Sequence, residues 1–146
     1  MTLDNLVGKT LEKMTPHQNA VKRLLHAAER NIADSKVGAV SAENRFDAAY
    51  KAIMQIANAV LQANGYRTLT SKPGHHQTMI QLLPQTLGVN RNTVIILDAM
   101  RKQRNVADYS GDFIPESTVA TCIIQAEELL KNFRAWLNIN WQEFEL

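Results

Sequence analysis

Cysteine is nearly absent. Cys122 stands alone in 146 residues, which excludes an internal disulfide and a zinc site built from paired cysteines. Within "VATCIIQA" it reads as a small buried hydrophobe on an apolar helix. Glycine and proline number only six and four, so long uninterrupted elements are expected and a loop-rich all-β chain is not. No run approaches the ~20 apolar residues of a membrane span. The opening "MTLDNLVGKTLEKM" lacks a signal-peptide pattern, so the expectation is a cytoplasmic protein with no membrane association. Neither sign of charge dominates. A net charge of +2 permits an anionic partner without demanding one. There is no glycine-rich phosphate loop, no HExxH and no GxSxG, so the corresponding catalytic classes have no motif here.

What is present is helical periodicity. Hydrophobic residues at 45% and charged residues at 21% are ordinary for a globular chain, and the length suits one domain with its own core. Leu3, Leu6, Val7, Leu11 and Met14 fall at helical spacing, interrupted by Gly8. Thr15-Pro16 then offers an N-cap and a first-turn proline for a helix striped by Val21, Leu24, Leu25, Ala28 and Ile32. Ser41 is the next N-cap, with Glu43 in the first turn. Behind it Phe46, Tyr50, Ile53, Ala57, Val60 and Leu61 form the clearest stripe, closed by Asn64-Gly65.

"YRTLTSKPG" reads as a loop. "HHQTMIQLLPQTLG" predicts a shorter helix disturbed at Pro84 and ended at Gly88. A further helix begins near Asn92 or Thr93, carries Ile96, Leu97 and Met100, and ends within "RNVADYSGD". Pro115 opens the last, whose stripe runs from Val119 through Cys122, Ala126, Leu130 and Phe133 to Leu137. Residues 138–146 form a loosely docked tail in which Trp141 and Phe144 are open to packing or to a partner. No run alternates with period two for long enough to be a strand. The expected architecture is all-α: one domain over 1–146, an up-and-down bundle of four to five helices with four main ones.

Three features stand out for chemistry. His75-His76 could shuttle protons, although adjacent helical residues point about 100° apart and no third metal ligand lies near them in sequence. His17 and His26 read as ordinary surface residues. Arg45, Asp47 and Lys51 flank the Phe46–Tyr50–Ile53 stripe as a charged rim, with the Tyr50 hydroxyl expected near the bundle edge. Finally, "LDAMRKQRNVADYSGDF" collects Arg101, Lys102 and Arg104 after an apolar run. Arg101 and Lys102 can be solvated at no cost. Arg104, seven residues after Leu97, continues the buried stripe and must be paired or phosphate-facing. Asp108, four residues on, is its local partner for a bridge worth little if exposed.

In these residues the chain resembles the HEPN family (higher eukaryotes and prokaryotes nucleotide-binding domains). The family signature is an arginine, often followed by asparagine, with a histidine about five positions after the arginine. Here "RNVADY" supplies Arg104 and Asn105, and Tyr109 stands where the histidine would be. "RFDAAYKAIMQIANAVLQANGYR" and "IIQAEELLKNFRAWL" are similar to two of the family's helices.

The resemblance implies a small helical bundle, often a homodimer, that binds RNA or a nucleotide. It places the chain in a toxin–antitoxin or defence system, with a cognate antitoxin or a small nucleotidyltransferase as partner. Active members of the family cleave RNA without metal, and no cofactor is implied. Arg104, Asn105 and Tyr109 would form the catalytic set, and Arg101, His76 and Asp108 would contact substrate. Tyrosine, with a pKa near 10 against about 6.5 for histidine, is a poor base at neutral pH, so weak or lost catalysis is expected. Residues five apart on a regular helix sit about 140° from each other. Arg104 and Tyr109 would therefore meet only at a helix break or across two protomers. The alternatives are an active ribonuclease with a composite dimer site and a non-catalytic all-α interaction module.

Overall fold

The computed structural model describes residues 3–71 and 74–141. Six α-helices and one two-stranded ribbon are found among them, in the order β1 (Leu11–Lys13), α1 (Gln18–Ser35), α2 (Ala42–Ala63), β2 (Tyr66–Thr68), α3 (His75–Gln81), α4 (Leu83–Leu87), α5 (Arg91–Ser110) and α6 (Glu116–Asn140). The all-α bundle is therefore what forms, with a small ribbon at its edge.

Helix α2 is the axis of the bundle. Its alanines at 49, 52, 59 and 63 are buried, and such small side chains let α1 and α6 approach closely while Phe46, Ile53, Ile56 and Leu61 fill the space between. The Ser41 hydroxyl accepts from the Asn44 backbone N–H at 3.2 Å, as an N-cap should. At the other end the chain turns through Gly65, whose φ of +90° is accessible to few residues with a side chain. From α1, Val21, Leu25, Ala28 and Ile32 face this axis, and from α6 Val119, Cys122, Ala126, Leu129 and Phe133. Burial pushes the Cys122 thiol up to about 12, consistent with an inert packing role.

Several local expectations are corrected. The apolar positions of the first dozen residues do not make an α-helix. A 3-10 turn over Leu3–Leu6 gives way at Gly8 (φ +84°) to β1. "YRTLTSKPG" is not all loop, because Tyr66–Thr68 pairs antiparallel with Leu11–Lys13 in the register Leu11↔Thr68, Glu12↔Arg67 and Lys13↔Tyr66. Three-residue strands are too short to show alternation. The Met14 N–H still donates to the Gly65 carbonyl at 2.9 Å, so the backbone is committed to the ribbon and α1 starts only at Gln18, with His17 rather than Thr15 at the cap position.

The break at Pro84 is real. Proline cannot donate to the carbonyl of Ile80, and the helix divides at Leu82 into α3 and α4 before Gly88 ends it. Helix α5 begins earlier than expected, with the Asn90 side chain accepting from the Thr93 N–H at 2.9 Å. It lies at the periphery and buries only Leu97 and Met100 of its 20 residues, while Ile96 is exposed. Residues 138–140 belong to α6 rather than to a loose tail, and Trp141 packs partly buried against the core. Phe144 lies outside the described residues. No described helix is long and apolar enough to cross a membrane.

Candidate functional site

Helix α2 carries Asp47, Lys51, Gln55 and Asn58 on one face at three- and four-residue steps, next to the buried Tyr50 and Met54. The kink between α3 and α4 sets α3 against this face with His75 and His76 at its first turn. The ribbon contributes Thr68, and Thr70 follows it. Helix α5 brings Arg104 to the open end. Together these residues line a cleft of about 540 Å³, within the range typical of small-ligand sites.

The centre of the cleft is a chain of three side chains. The Arg104 guanidinium lies over the Tyr50 ring, 5.2 Å from its centroid. The Tyr50 hydroxyl and His76 Nδ1 are 3.2 Å apart, a hydrogen bond whose donor is set by the histidine tautomer. His75 lies edge-on to His76 with ring centroids 5.0 Å apart. Burial pushes the Tyr50 phenol up to about 12, against the opposing pull of Arg104, so it stays a neutral hydrogen-bonding group. Burial also lowers the His76 imidazole, helped by His75, Arg104 and Arg101, and favours its neutral form near pH 7.

Arg104 is loosely held. Its Nε lies 3.9 Å from Asp47 Oδ1 and 3.9 Å from Asp108 Oδ2, beyond hydrogen-bond range, and its side chain is 35% exposed. The expected Arg104–Asp108 pair is thus present, shared with Asp47, and weak. Burial raises the Asp47 carboxyl, with Asp108 adding to it and Arg104 opposing. The guanidinium donors are therefore largely uncommitted on the side that faces the cleft.

The other residues singled out by sequence are placed elsewhere. Arg101 is not solvated. Its Nε donates to Asp98 at 2.9 Å, and Lys102 also reaches Asp98. Burial acts to raise the Asp98 carboxyl, but the hydrogen bonds from Arg101 and Lys102 outweigh it and hold it below the usual range. Asn105 is exposed and outside the cleft lining. Tyr109 is 94% exposed, and because α5 continues unbroken to Ser110 it does not meet Arg104 within one protomer. The structure thus joins Arg104 to His76 and leaves Asn105 and Tyr109 on the outer face of α5.

Tyr50 was legible only as a buried ring at the bundle edge. The spacing of Asp47, Lys51, Gln55 and Asn58 on a core helix was the available signal for the cleft. Arg45 is structural: it donates to Glu116 at 2.5 Å and to the Val40 carbonyl at 2.9 Å, tying the starts of α2 and α6 together. Another groove, about 570 Å³, is lined by Asp98, Ala99 and Lys102 of α5 with Gln81 and Pro84, but Arg101 and Lys102 already neutralise its Asp98. Among the described residues no three histidine, cysteine or acidic side chains are grouped to hold a metal.

Fold and site define an all-α bundle with one basic, imidazole-containing cleft between α2, α3, α5 and the ribbon. No family model matches the chain, and no curated protein is significantly similar to it.

Proposed function

We propose that this chain binds RNA or a nucleotide, with a phosphate held by Arg104 in the cleft. The observation that carries this reading is the guanidinium positioned over Tyr50 and between two carboxylates, with neither close enough to consume its donors. A phosphate accepts two parallel N–H bonds from such a fork and displaces two weak contacts in doing so. Lys51 and the imidazoles add donors around it, and the uncharged Tyr50 ring lies beneath the guanidinium.

In this reading the chain is a HEPN-like protein of a cytoplasmic toxin–antitoxin or defence system, working as a homodimer with a cognate antitoxin or nucleotidyltransferase and with weak or lost catalysis. The exposed Val106, Tyr109 and Phe113 on α5 and just beyond it are the supporting surface for self-association. Binding of labelled RNA and of nucleoside monophosphates by fluorescence anisotropy tests the proposal. Measurable binding that Arg104→Ala abolishes in a folded variant is expected; no binding by the parent chain rejects it.

A second reading has its own support. Two imidazoles 5.0 Å apart beside an arginine are a plausible set for metal-free RNA cleavage. One neutral imidazole takes the 2′-hydroxyl proton, and the oxygen attacks phosphorus. The bond to the 5′-oxygen breaks, and a protonated imidazole returns a proton to the leaving oxygen. His76 is suited to the first role by its lowered pKa. Cleavage in the presence of a chelator, leaving a cyclic 2′,3′-phosphate and lost in both Arg104→Ala and His76→Ala, is the expected signature of this activity.

A further inference from the structure

The cleft does not end at Lys51 and Gln55. A second groove, about 420 Å³, opens on the far side of these two residues between α1 and α2 and is lined further by Arg30, Asn31 and Asp34. Lys51 and Gln55 belong to both hollows. In the α1–α2 groove Asn31 Nδ2 donates to Gln55 Oε1 at 2.8 Å, a hydrogen bond between the two helices. That bond ties α1 to α2 across the groove.

Two of the cations along this path have no carboxylate partner. Lys13, Lys36, Arg45, Arg67, Arg101, Lys102 and Arg134 are all engaged by carboxylates. Among the described residues Lys9, Arg23, Arg30, Lys51, Arg91 and Lys131 are in no ion pair, and of these only Lys51 and Arg30 line the two hollows, although Asp34 lies four residues after Arg30 in the same groove. Glu29 is unavailable to Arg30 because Arg134 holds it at 2.7 Å. The sequence of cations from the cleft mouth is therefore Arg104, Lys51 and Arg30. Asp47, Lys51 and Gln55 advance along α2 by about 6 Å for each four-residue step.

We infer that the two hollows form one continuous track, and that the ligand is a single RNA strand of several nucleotides, with one phosphate at Arg104 and others at Lys51 and Arg30. The inference rests on the nucleotide reading of the cleft, and it selects a strand over a mononucleotide. The 540 Å³ cleft is large enough for a mononucleotide, which has no use for Arg30. A strand adds a backbone charge for each nucleotide and engages the loosely held Arg104 and the unpaired Lys51 and Arg30 in turn, with counterion release at every contact. The side-chain amide groups of Asn31, Gln55 and Asn58 along the floor supply hydrogen bonds to sugar or base edges.

Anisotropy titrations of labelled uridine mono-, di-, tetra- and hexanucleotides over a range of salt concentrations test this. Affinity is expected to rise from the mononucleotide to the tetranucleotide and then to level off. Arg30→Ala is expected to weaken tetranucleotide binding several-fold, reduce the slope of log affinity against log salt by roughly 0.7, and leave the mononucleotide unaffected. Asp34→Asn, which removes the groove's own negative charge, is expected to strengthen tetranucleotide binding only. Equal affinity at every length, or an Arg30→Ala variant indistinguishable from the parent on the tetranucleotide, overturns the track while leaving a mononucleotide cleft standing. Absence of binding at any length rejects both.

Discussion

The guanidinium of Arg104 lies 5.2 Å from the centroid of the Tyr50 ring, so the cation from peripheral α5 is seated on a side chain of the central helix. The same tyrosine reaches His76 with its hydroxyl, 3.2 Å from Nδ1. One buried residue thus sets the positions of the two groups most able to act on a phosphate. Tyr50→Phe separates its two roles, because the ring stays and the hydroxyl goes. Stability is expected to fall by about 1 kcal/mol, the usual worth of one hydrogen bond, read by urea denaturation. RNA affinity should change little. A large loss of affinity in this variant would show that the hydroxyl, rather than the ring, organises the site.

Arg104→Ala gives the opposite pattern. Its two carboxylate contacts are long and about half exposed, so removing them costs under about 1 kcal/mol of stability. RNA binding should be lost. If the arginine served only packing, the variant would instead be clearly destabilised and keep its partner. Arg104→Lys preserves the charge but not the planar fork, and partial binding with weaker discrimination is the expected result.

Proton uptake at His76 links stability and binding to pH. Burial lowers its pKa in the folded chain below 6.5. Between that lowered value and 6.5 the unfolded chain binds the proton more readily. The associated stability is full above 6.5 and declines as pH falls through the window. Asp47, raised above 3.8 chiefly by burial, acts in the opposite sense and in more acidic solution. A bound phosphate favours the imidazolium, so RNA affinity should rise as pH drops over the range in which stability declines. Thermal melts and anisotropy on the parent and on His76→Gln check both slopes, and the variant should flatten each of them.

The bundle was legible because α1, α2 and α6 each bury a continuous stripe whose members recur every three or four residues. Ser41 and Gly65 marked the ends of α2, and Pro84 and Gly88 the break between α3 and α4 and the end of α4, by local chemistry that the fold retains. The N-terminal apolar positions misled for a physical reason. Leu11 is fully buried, but as a strand residue under the ribbon, and its pairing partner Thr68 is 57 positions away (68 − 11). No local pattern encodes such a pairing. The site divided in the same way. Arg104 could be singled out by its place on the Leu97 stripe, whereas its meeting with Tyr50 and His76 needs three helices to assemble. Asn105 and Tyr109 adjoin Arg104 in the chain, and helix geometry carries them to another face.

Leu11→Ala follows from the same point. The side chain is fully enclosed, so its truncation leaves a cavity and should cost about 2–5 kcal/mol. Because the ribbon carries Thr68 on the cleft wall, RNA affinity should fall as well, even at temperatures where the variant remains folded. An exposed apolar control such as Val37→Ala, 46% accessible between α1 and α2, should stay within about 0.5 kcal/mol of the parent. Chemical denaturation of the two variants separates a structural ribbon from a dispensable one.

Tyr109 and Phe113 are 94% and 90% exposed, with Val106 at 60% beside them. Such side chains contribute little to a monomer's stability, so Tyr109→Ser and Phe113→Ser should each leave the melting temperature of a dilute sample unchanged. Val106 and Tyr109 are three residues apart on α5, and Phe113 follows three residues after its last residue, Ser110, so the three exposed apolar side chains lie at and just past the C-terminal end of the helix. A dimer built on this patch would remove it from water. Sedimentation should then show concentration-dependent association in the parent chain and its loss in the double variant. Monomeric behaviour of the parent at every concentration tested would confine the site to one protomer and leave Tyr109 outside it.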